Sequence, residues 1–246
     1  MSERILIIGA TSAIAEALAR RYAAEGAHFL LAARNLERCS QISDDLLTRG
    51  AAEVRCLHFD ATERDGLAGL IEHAWAAFDG FDIALIAHGS LPDQAVCEQS
   101  IDATLEALEI NALSTISLLV PLANRMAQAR CGHIAVIGSV AGDRGRQSNY
   151  VYGAAKGCLA VFLEGLAHRL YPVGVRVLTV KPGFVDTPMT AAFDKGLLWA
   201  KPEQVAKDLQ RAIRKGKTQI YTPWFWRWIM RVIRFLPSSV LFRTKL

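Results

Sequence analysis

Tyr152 and Lys156 stand four residues apart at the start of a helical pattern, so their side chains share one face. A phenol with a pKa of about 10 is a poor acid–base group at neutral pH, and an ammonium beside it favours the phenolate and lowers that value. Such a pair suits proton transfer at an oxygen. Ser139 precedes Tyr152 by thirteen residues, just past an apolar run, and offers a hydroxyl. Asn111 places an amide inside the apolar stretch "LEINALSTISLL". Taken singly, the Tyr–Lys pair reads as an ordinary amphipathic pair and Asn111 as a satisfied core amide. All four in this order point to a catalytic set.

The elements that must position these groups follow from hydrophobic periodicity. Short apolar runs suited to buried strands occur at Ile5–Ile8, Phe29–Ala33, Val54–His58, Ile83–Ala87, His133–Ile137, Arg176–Val180 and Gln219–Tyr221. Helical patterns lie between them at Ala13–Glu25, Leu36–Thr48, Arg64–Phe78, Ile101–Ala129, Tyr152–Tyr171 and Pro202–Lys215. The alternation predicts an α/β fold: one domain of Rossmann-like, doubly wound type, with about seven parallel strands and helices on both faces. In such sheets ligands bind beyond the carboxyl ends of the strands. Chemistry is therefore expected at 9–15, 33–35, Asp60, His88–Gly89, 139–145 and 182–189.

The first of these segments reads Gly9-Ala10-Thr11-Ser12-Ala13-Ile14-Ala15. Gly9 ends a strand where a sharp turn calls for positive φ. Thr11 and Ser12 supply hydroxyls and helix-capping side chains, and the free amides of the next helix favour a pyrophosphate. Taken alone this loop fits a nucleotide site and a plain strand–turn–helix equally well. The second strand ends with no acid to bind a ribose 2′-hydroxyl. Ala33 and Arg34 stand there instead, and a guanidinium suits a 2′-phosphate, the alternative being a surface arginine. Asp60, after the third strand, is placed either to meet an adenine edge or to serve as a loop acid.

The order Gly9 loop, Asp60, Gly89, Asn111, Ser139, Tyr152-x-x-x-Lys156 and Pro182-Gly183-Phe184-Val185-Asp186-Thr187 resembles the short-chain dehydrogenase/reductase family over roughly residues 3 to 222. Two departures stand out. Ala13 and Ala15 occupy glycine positions of the family's G-x-x-x-G-x-G pattern, and its Asn-Asn-Ala-Gly reads Ile86-Ala87-His88-Gly89, which assigns a structural bond to His88. The resemblance implies NADP(H) as cofactor, held by Gly9, Thr11, Ser12, Ile14, Arg34, Asp60, Ala61, Gly89, Tyr152, Lys156, Pro182, Gly183, Val185 and Thr187. It implies hydride delivery to a ketone, with Tyr152 as acid and Ser139 on the substrate oxygen. Lys156 would lower the Tyr152 pKa and hold the nicotinamide ribose, and Asn111 would keep a water in line with Lys156. It also implies a homo-oligomer. Tyr150 has the wrong spacing to Lys156 and is assigned to packing or substrate contact.

At 246 residues and 52% apolar composition the chain suits one large domain. Its five cysteines, Cys39, Cys56, Cys97, Cys131 and Cys158, form no C-x-x-C pair, which points to reduced thiols in the cytoplasm and no metal site. No signal peptide is read ahead of the first strand, and no uncharged apolar run reaches the length of a membrane span. The net charge of +4 is uneven. From Leu209 onward there are nine Lys/Arg and no Asp/Glu, which leaves residues 1–208 at about −5. This split points to an anionic partner, and away from nucleic acid because no basic stripe continues into the body.

Residues 1–222 thus read as the reductase domain, and 223–246 as a basic, aromatic amphipathic segment. Arg227, Arg231 and Arg234 cluster on a helical wheel, with Trp224, Trp228, Ile229, Val232, Ile233, Phe235 and Leu236 elsewhere. That pattern predicts either peripheral attachment to the inner face of an anionic plasma membrane or a core-covering or dimer-forming helix. The loop "GDRGRQSNYVYGAAK" and the tail "KTQIYTPWFWRWIMRVIRFLP" are similar to reductases of decaprenylphosphoryl keto-pentose, which implies a lipid-linked substrate. Arg144 and Arg146 are the candidate phosphate contacts, the alternative being a solvated loop. A 3-oxoacyl or 3-ketosphinganine-type reductase is the alternative enzyme, and an NADP-binding scaffold the non-enzyme alternative.

Overall fold

The apolar runs pair into a seven-stranded, wholly parallel sheet in the computed structural model, which describes residues 2–63 and 66–244. The strands are β1 (Arg4–Ile8), β2 (His28–Ala33), β3 (Glu53–His58), β4 (Ile83–Ile86), β5 (His133–Ile137), β6 (Arg176–Pro182) and β7 (Gln219–Thr222), in spatial order β3-β2-β1-β4-β5-β6-β7. The order reverses between β1 and β4, which opens a crevice beyond their carboxyl ends. β1 shows why both faces must be covered: Ile5 and Ile7 point into one core, Leu6 and Ile8 into the other.

One face carries α1 (Ala13–Ala23), α2 (Leu36–Thr48) and α8 (Pro202–Arg214). The other carries α3 (Leu67–Phe78), α6 (Ser114–Ala129) and α7 (Tyr150–Leu170). The expected start of the third helix at Arg64 lies outside the described residues. The long expected helix over 101–129 divides into α5 (Ile101–Leu108), a π-helical turn Glu109–Leu113 and α6, preceded by a short α4 (Gln94–Gln99). By length and composition alone this run could cross a membrane, yet half of its most apolar window is buried and Leu118, Leu119, Leu122 and Met126 are core residues.

The tail forms α9 (Trp226–Phe235), and Pro237 separates it from a short α10 (Ser238–Leu241). The broad apolar face expected from the wheel is divided. Trp226, Met230 and Ile233 turn inward against Val140, while Trp228, Val232 and Phe235 face out, with the Arg227, Arg231 and Arg234 stripe between them.

Candidate active site

The site is built where β1, β4, β5 and β6 end. Gly9 adopts φ +81°, and a Cβ there would lie 2.5 Å from the His88 backbone nitrogen, so no other residue fits this turn without displacing the β4 loop. The turn continues the sheet, with the Gly9 amide donating to Ala32 O at 2.8 Å. Ala13 and Ala15 stand in helical α1, where a methyl is tolerated, and Ala15 is fully buried. Ser12 is the N-cap residue but its side chain makes no capping bond, which leaves the first amides of α1 to other acceptors. Thr11 is exposed. Ile14 packs with Val185, Ala200 and Val205, joining the loop after β1 to the segment after β6.

At the end of β2, Ala33 is buried and Arg34 is exposed. Asp60 accepts from the Thr62 amide at 2.9 Å and its hydroxyl at 2.8 Å. These bonds, with the charge of Arg34 as a smaller contribution, hold its carboxyl below the usual range. Ala61 is buried beside it. After β6, Pro182 is buried, and a Cβ on Gly183 would collide with the Trp226 indole. Thr187 bonds with Thr190 and opens a short 3-10 turn.

These residues fit a dinucleotide. The glycine turn, the uncapped amides and the exposed Arg34 at the end of β2, whose charge acts on Asp60, stand at the carboxyl ends of the strands that border the crevice.

The four candidate catalytic residues come together. The π-helical turn seats the Asn111 side chain, which is 1% exposed, against the β4 loop. Its Oδ1 accepts from the Ser90 amide at 3.0 Å, and its Nδ2 donates to Ala107 O at 3.0 Å and Ser90 Oγ at 3.2 Å. A Cβ on Gly89 would fall 2.9 Å from Asn111 Oδ1 and 3.6 Å from Lys156 Nζ, so this glycine allows the loop to close on both. Lys156 is buried and donates to Ile137 O at 3.2 Å, with Nζ 5.7 Å from the Tyr152 ring centre. Burial pulls its pKa down to about 8. The Tyr152 side chain keeps some surface, yet burial around the phenol pushes its pKa up, and the Ser139 hydroxyl bond opposes the rise. Ser139 Oγ also accepts from the Ala141 amide at 3.1 Å, which fixes its rotamer.

His88 takes the structural bond assigned to it. Its Nε2 lies 3.0 Å from Ser114 Oγ and 3.3 Å from Thr115 Oγ1 on α6. Burial, and then the Lys156 charge, push its pKa down to about 3, so the ring is neutral.

The two loop arginines separate. Arg144 donates to the carbonyls of Arg234 at 3.0 Å and Leu236 at 3.3 Å, capping the end of α9. Arg146 is half-buried, and its Nε and the Oδ1 of Asn149 three residues on have no hydrogen-bond partner among the described residues. Tyr150 opens α7 and is exposed.

Sequence reasoning missed four residues around this site. Gly142 packs against the backbone of Lys156–Gly157, where a Cβ would lie 2.6 Å from Lys156 C. Asp143, Lys181 and Tyr221 form a buried polar cluster beneath the Ser139 turn. A lysine ending an otherwise apolar strand in "VLTVKPG" was the available signal, since a buried ammonium demands a partner.

The chain matches the short chain dehydrogenase family model over residues 3–197. It is 37% identical to the uncharacterized oxidoreductase Rv2073c of Mycobacterium tuberculosis over 236 residues, 96% of this chain and 94% of that protein. Its fold is similar to that of an actinorhodin polyketide ketoreductase solved with NADPH, with TM-score 0.80, 22% identity and coverage of 90% and 95% of the two chains. It is also similar to an alcohol dehydrogenase from Thermococcus sibiricus complexed with 5-hydroxy-NADP, with TM-score 0.78, 21% identity and coverage of 89% and 95%. With the family match over most of its length and a relative of this identity spanning nearly all of it, the chain belongs to the short-chain dehydrogenase/reductase family of oxidoreductases.

Proposed function

We propose that this protein is an NADPH-dependent reductase that converts a ketone to an alcohol, with Tyr152 as the proton donor. The observation that carries this reading is the gathering of Ser139, Tyr152 and Lys156 beside the Asn111-braced loop. Bound NADPH supplies the hydride. The chain's own residues handle the proton and the oxygen. A phenol whose pKa is raised by burial keeps its proton at neutral pH until the substrate oxygen gains charge. Ser139 presents a hydroxyl to that same oxygen. Lys156, with its pKa at about 8, still carries its charge at pH 7 and stabilises the phenolate left behind. Arg34, exposed at the acid-free end of β2, favours the 2′-phosphate of NADPH over the hydroxyl of NADH.

The proposed substrate is an anionic, lipid-linked ketone such as a polyprenyl-phosphate keto-sugar. Arg146 supports this reading: a half-buried guanidinium whose Nε finds no hydrogen-bond partner among the described residues has the chemistry to take a phosphate. Arg144 is committed to α9 and is not assigned that role. The outer face of α9 supports it as well. Trp224, Trp228, Val232 and Phe235 are 54–80% exposed beside the arginine stripe, a pattern suited to the headgroup region of an anionic membrane. The arginines find no acid of their own segment, so a second tail of this chain would repel them.

The test is NADPH oxidation across a panel of polyprenyl-phosphate keto-sugars, 3-oxoacyl thioesters and long-chain ketones, with anionic or neutral liposomes. The proposal expects turnover of the anionic lipid-linked ketones, with a KM that rises in Arg146→Ala. Preference for neutral ketones, with KM unaffected in Arg146→Ala, would remove the anionic-substrate reading. Turnover of no ketone in the panel would count against a reductase.

A further inference from the structure

Asp143 lies four residues beyond Ser139, at the end of the short 3-10 turn Val140–Asp143. Its carboxylate is 3% exposed and accepts from two strands at once. Lys181 Nζ on β6 donates at 2.5 Å, and Tyr221 Oη on β7 donates at 2.7 Å. Lys181 is itself only 9% exposed and its Nζ stands 5.6 Å from the Tyr221 ring centre. The next residue, Arg144, reaches the C-terminal carbonyls of α9, and Arg234 of α9 returns to the Tyr221 hydroxyl. On the opposite side Gly142 rests on the Lys156–Gly157 backbone.

The Ser139 turn is therefore clamped between α7, which carries Tyr152 and Lys156, and a polar anchor shared by β6, β7 and the tail. A buried carboxylate with a buried ammonium is costly to desolvate, and an apolar pair of the same volume is often as stable. Stability alone does not explain this placement. Directional bonds to two strands set the turn's height and rotation, which apolar contact would leave free.

We infer that Asp143 is a positioning residue: through Lys181 and Tyr221 it holds the Ser139 hydroxyl in register with Tyr152, and with Arg144 it makes α9 part of the active-site wall. This inference rests on the reductase reading for its kinetic consequence, and on geometry alone for its structural one. The Trp226 indole of α9 covers Gly183 on the segment after β6.

The experiment uses the full chain. Asp143→Asn combined with Lys181→Met removes both charges, so that neither is left buried alone. Tyr221→Phe is the milder variant, which keeps the ion pair. Each is made with Ser139 intact and in a Ser139→Ala background, and kcat, KM and NADPH affinity are measured. Hydrogen exchange is followed over 140–144 and 226–235.

If Asp143 acts through Ser139, the double variant lowers kcat about ten-fold with Ser139 present and less than about two-fold in its absence, with NADPH affinity unchanged. Tyr221→Phe shows the same non-additivity with a smaller loss, and secures the test if the double variant does not fold. Exchange speeds up over both segments and stays unchanged in α1. Equal losses in both backgrounds, or no loss of kcat, overturn the positioning role. If the parent protein reduces no ketone, the reductase reading fails separately. Exchange then decides the anchor by itself, and unchanged protection over 140–144 and 226–235 overturns it.

Discussion

Lys156→Met should make the protein more stable and inactive. The ammonium is buried, with Ile137 O as its hydrogen-bond acceptor, and burial lowers its pKa from 10.5 to about 8. That fall corresponds to about 3 kcal/mol against the charged form. Methionine fills a similar volume without charge and forgoes one hydrogen bond of about 1 kcal/mol. The net gain at pH 7 is about 2 kcal/mol, or about 4–8 °C in Tm for a chain of this size. The sign of the pH dependence follows from the direction of the shift. Between about 8 and 10.5 the unfolded chain binds the Lys156 proton and the folded one does not, so wild-type stability rises with pH across that window. The variant lacks this term, so its advantage should be full below pH 8 and should shrink as pH approaches 10.5. Urea denaturation of both proteins from pH 7 to 10.5 measures it. A variant no more stable than wild type at pH 7, or an advantage that does not change with pH, would refute the view of Lys156 as a strained, functionally retained charge.

The other perturbations follow from the same geometry. His88 is held neutral with its pKa near 3, so as pH falls through 6.5 the unfolded chain gains a proton that the folded one refuses, and stability drops. His88→Asn should flatten that acid decline in urea midpoints between pH 7 and 4.5; parallel declines would show that His88 is not its source. Arg34→Ala should weaken NADPH binding about ten-fold, the scale of a charge-assisted bond, and leave NADH binding unchanged by calorimetry. An equal loss for both cofactors would remove Arg34 from phosphate recognition. Changing Trp228, Val232 and Phe235 together to Ser should abolish binding to anionic liposomes while sparing NADPH binding, because this stripe faces outward. Retained liposome binding would remove the outer face of α9 from the membrane reading. Deleting the tail is a poorer test, since Trp226, Met230 and Ile233 cover Val140 in the core.

The central strands were legible because they are buried on both faces and read as short apolar runs, whereas the edge strands β3 and β7 are only partly buried. The site residues were legible because a parallel sheet delivers every strand end to one edge, so motif order alone places Gly9, Ser139 and Pro182 together. What escaped the sequence depends on distant partners. A helical wheel shows which residues of the tail are apolar, but not that Val140 selects Trp226, Met230 and Ile233 and leaves Trp228, Val232 and Phe235 outside. Asp143 meets Lys181 and Tyr221 across 38 and 78 positions, a pairing no local pattern encodes. The π-helical turn at Asn111 was read as regular helix, because a single underwound turn is too short to show in the hydrophobic pattern of the helices on either side. Arg144 and Arg146 looked equivalent until the carbonyls at the end of α9 claimed the first.

The central claim is that Tyr152 donates the proton in a reduction driven by NADPH. It is tested most directly by Tyr152→Phe in the NADPH oxidation assay, on whichever ketone of the panel the parent protein turns over, with cofactor binding measured in parallel by calorimetry. Only the phenolic hydroxyl is removed, so NADPH should bind as in the parent while kcat falls by about 10²–10⁴, the range of a lost general acid. Turnover at the parent rate in Tyr152→Phe would contradict the account.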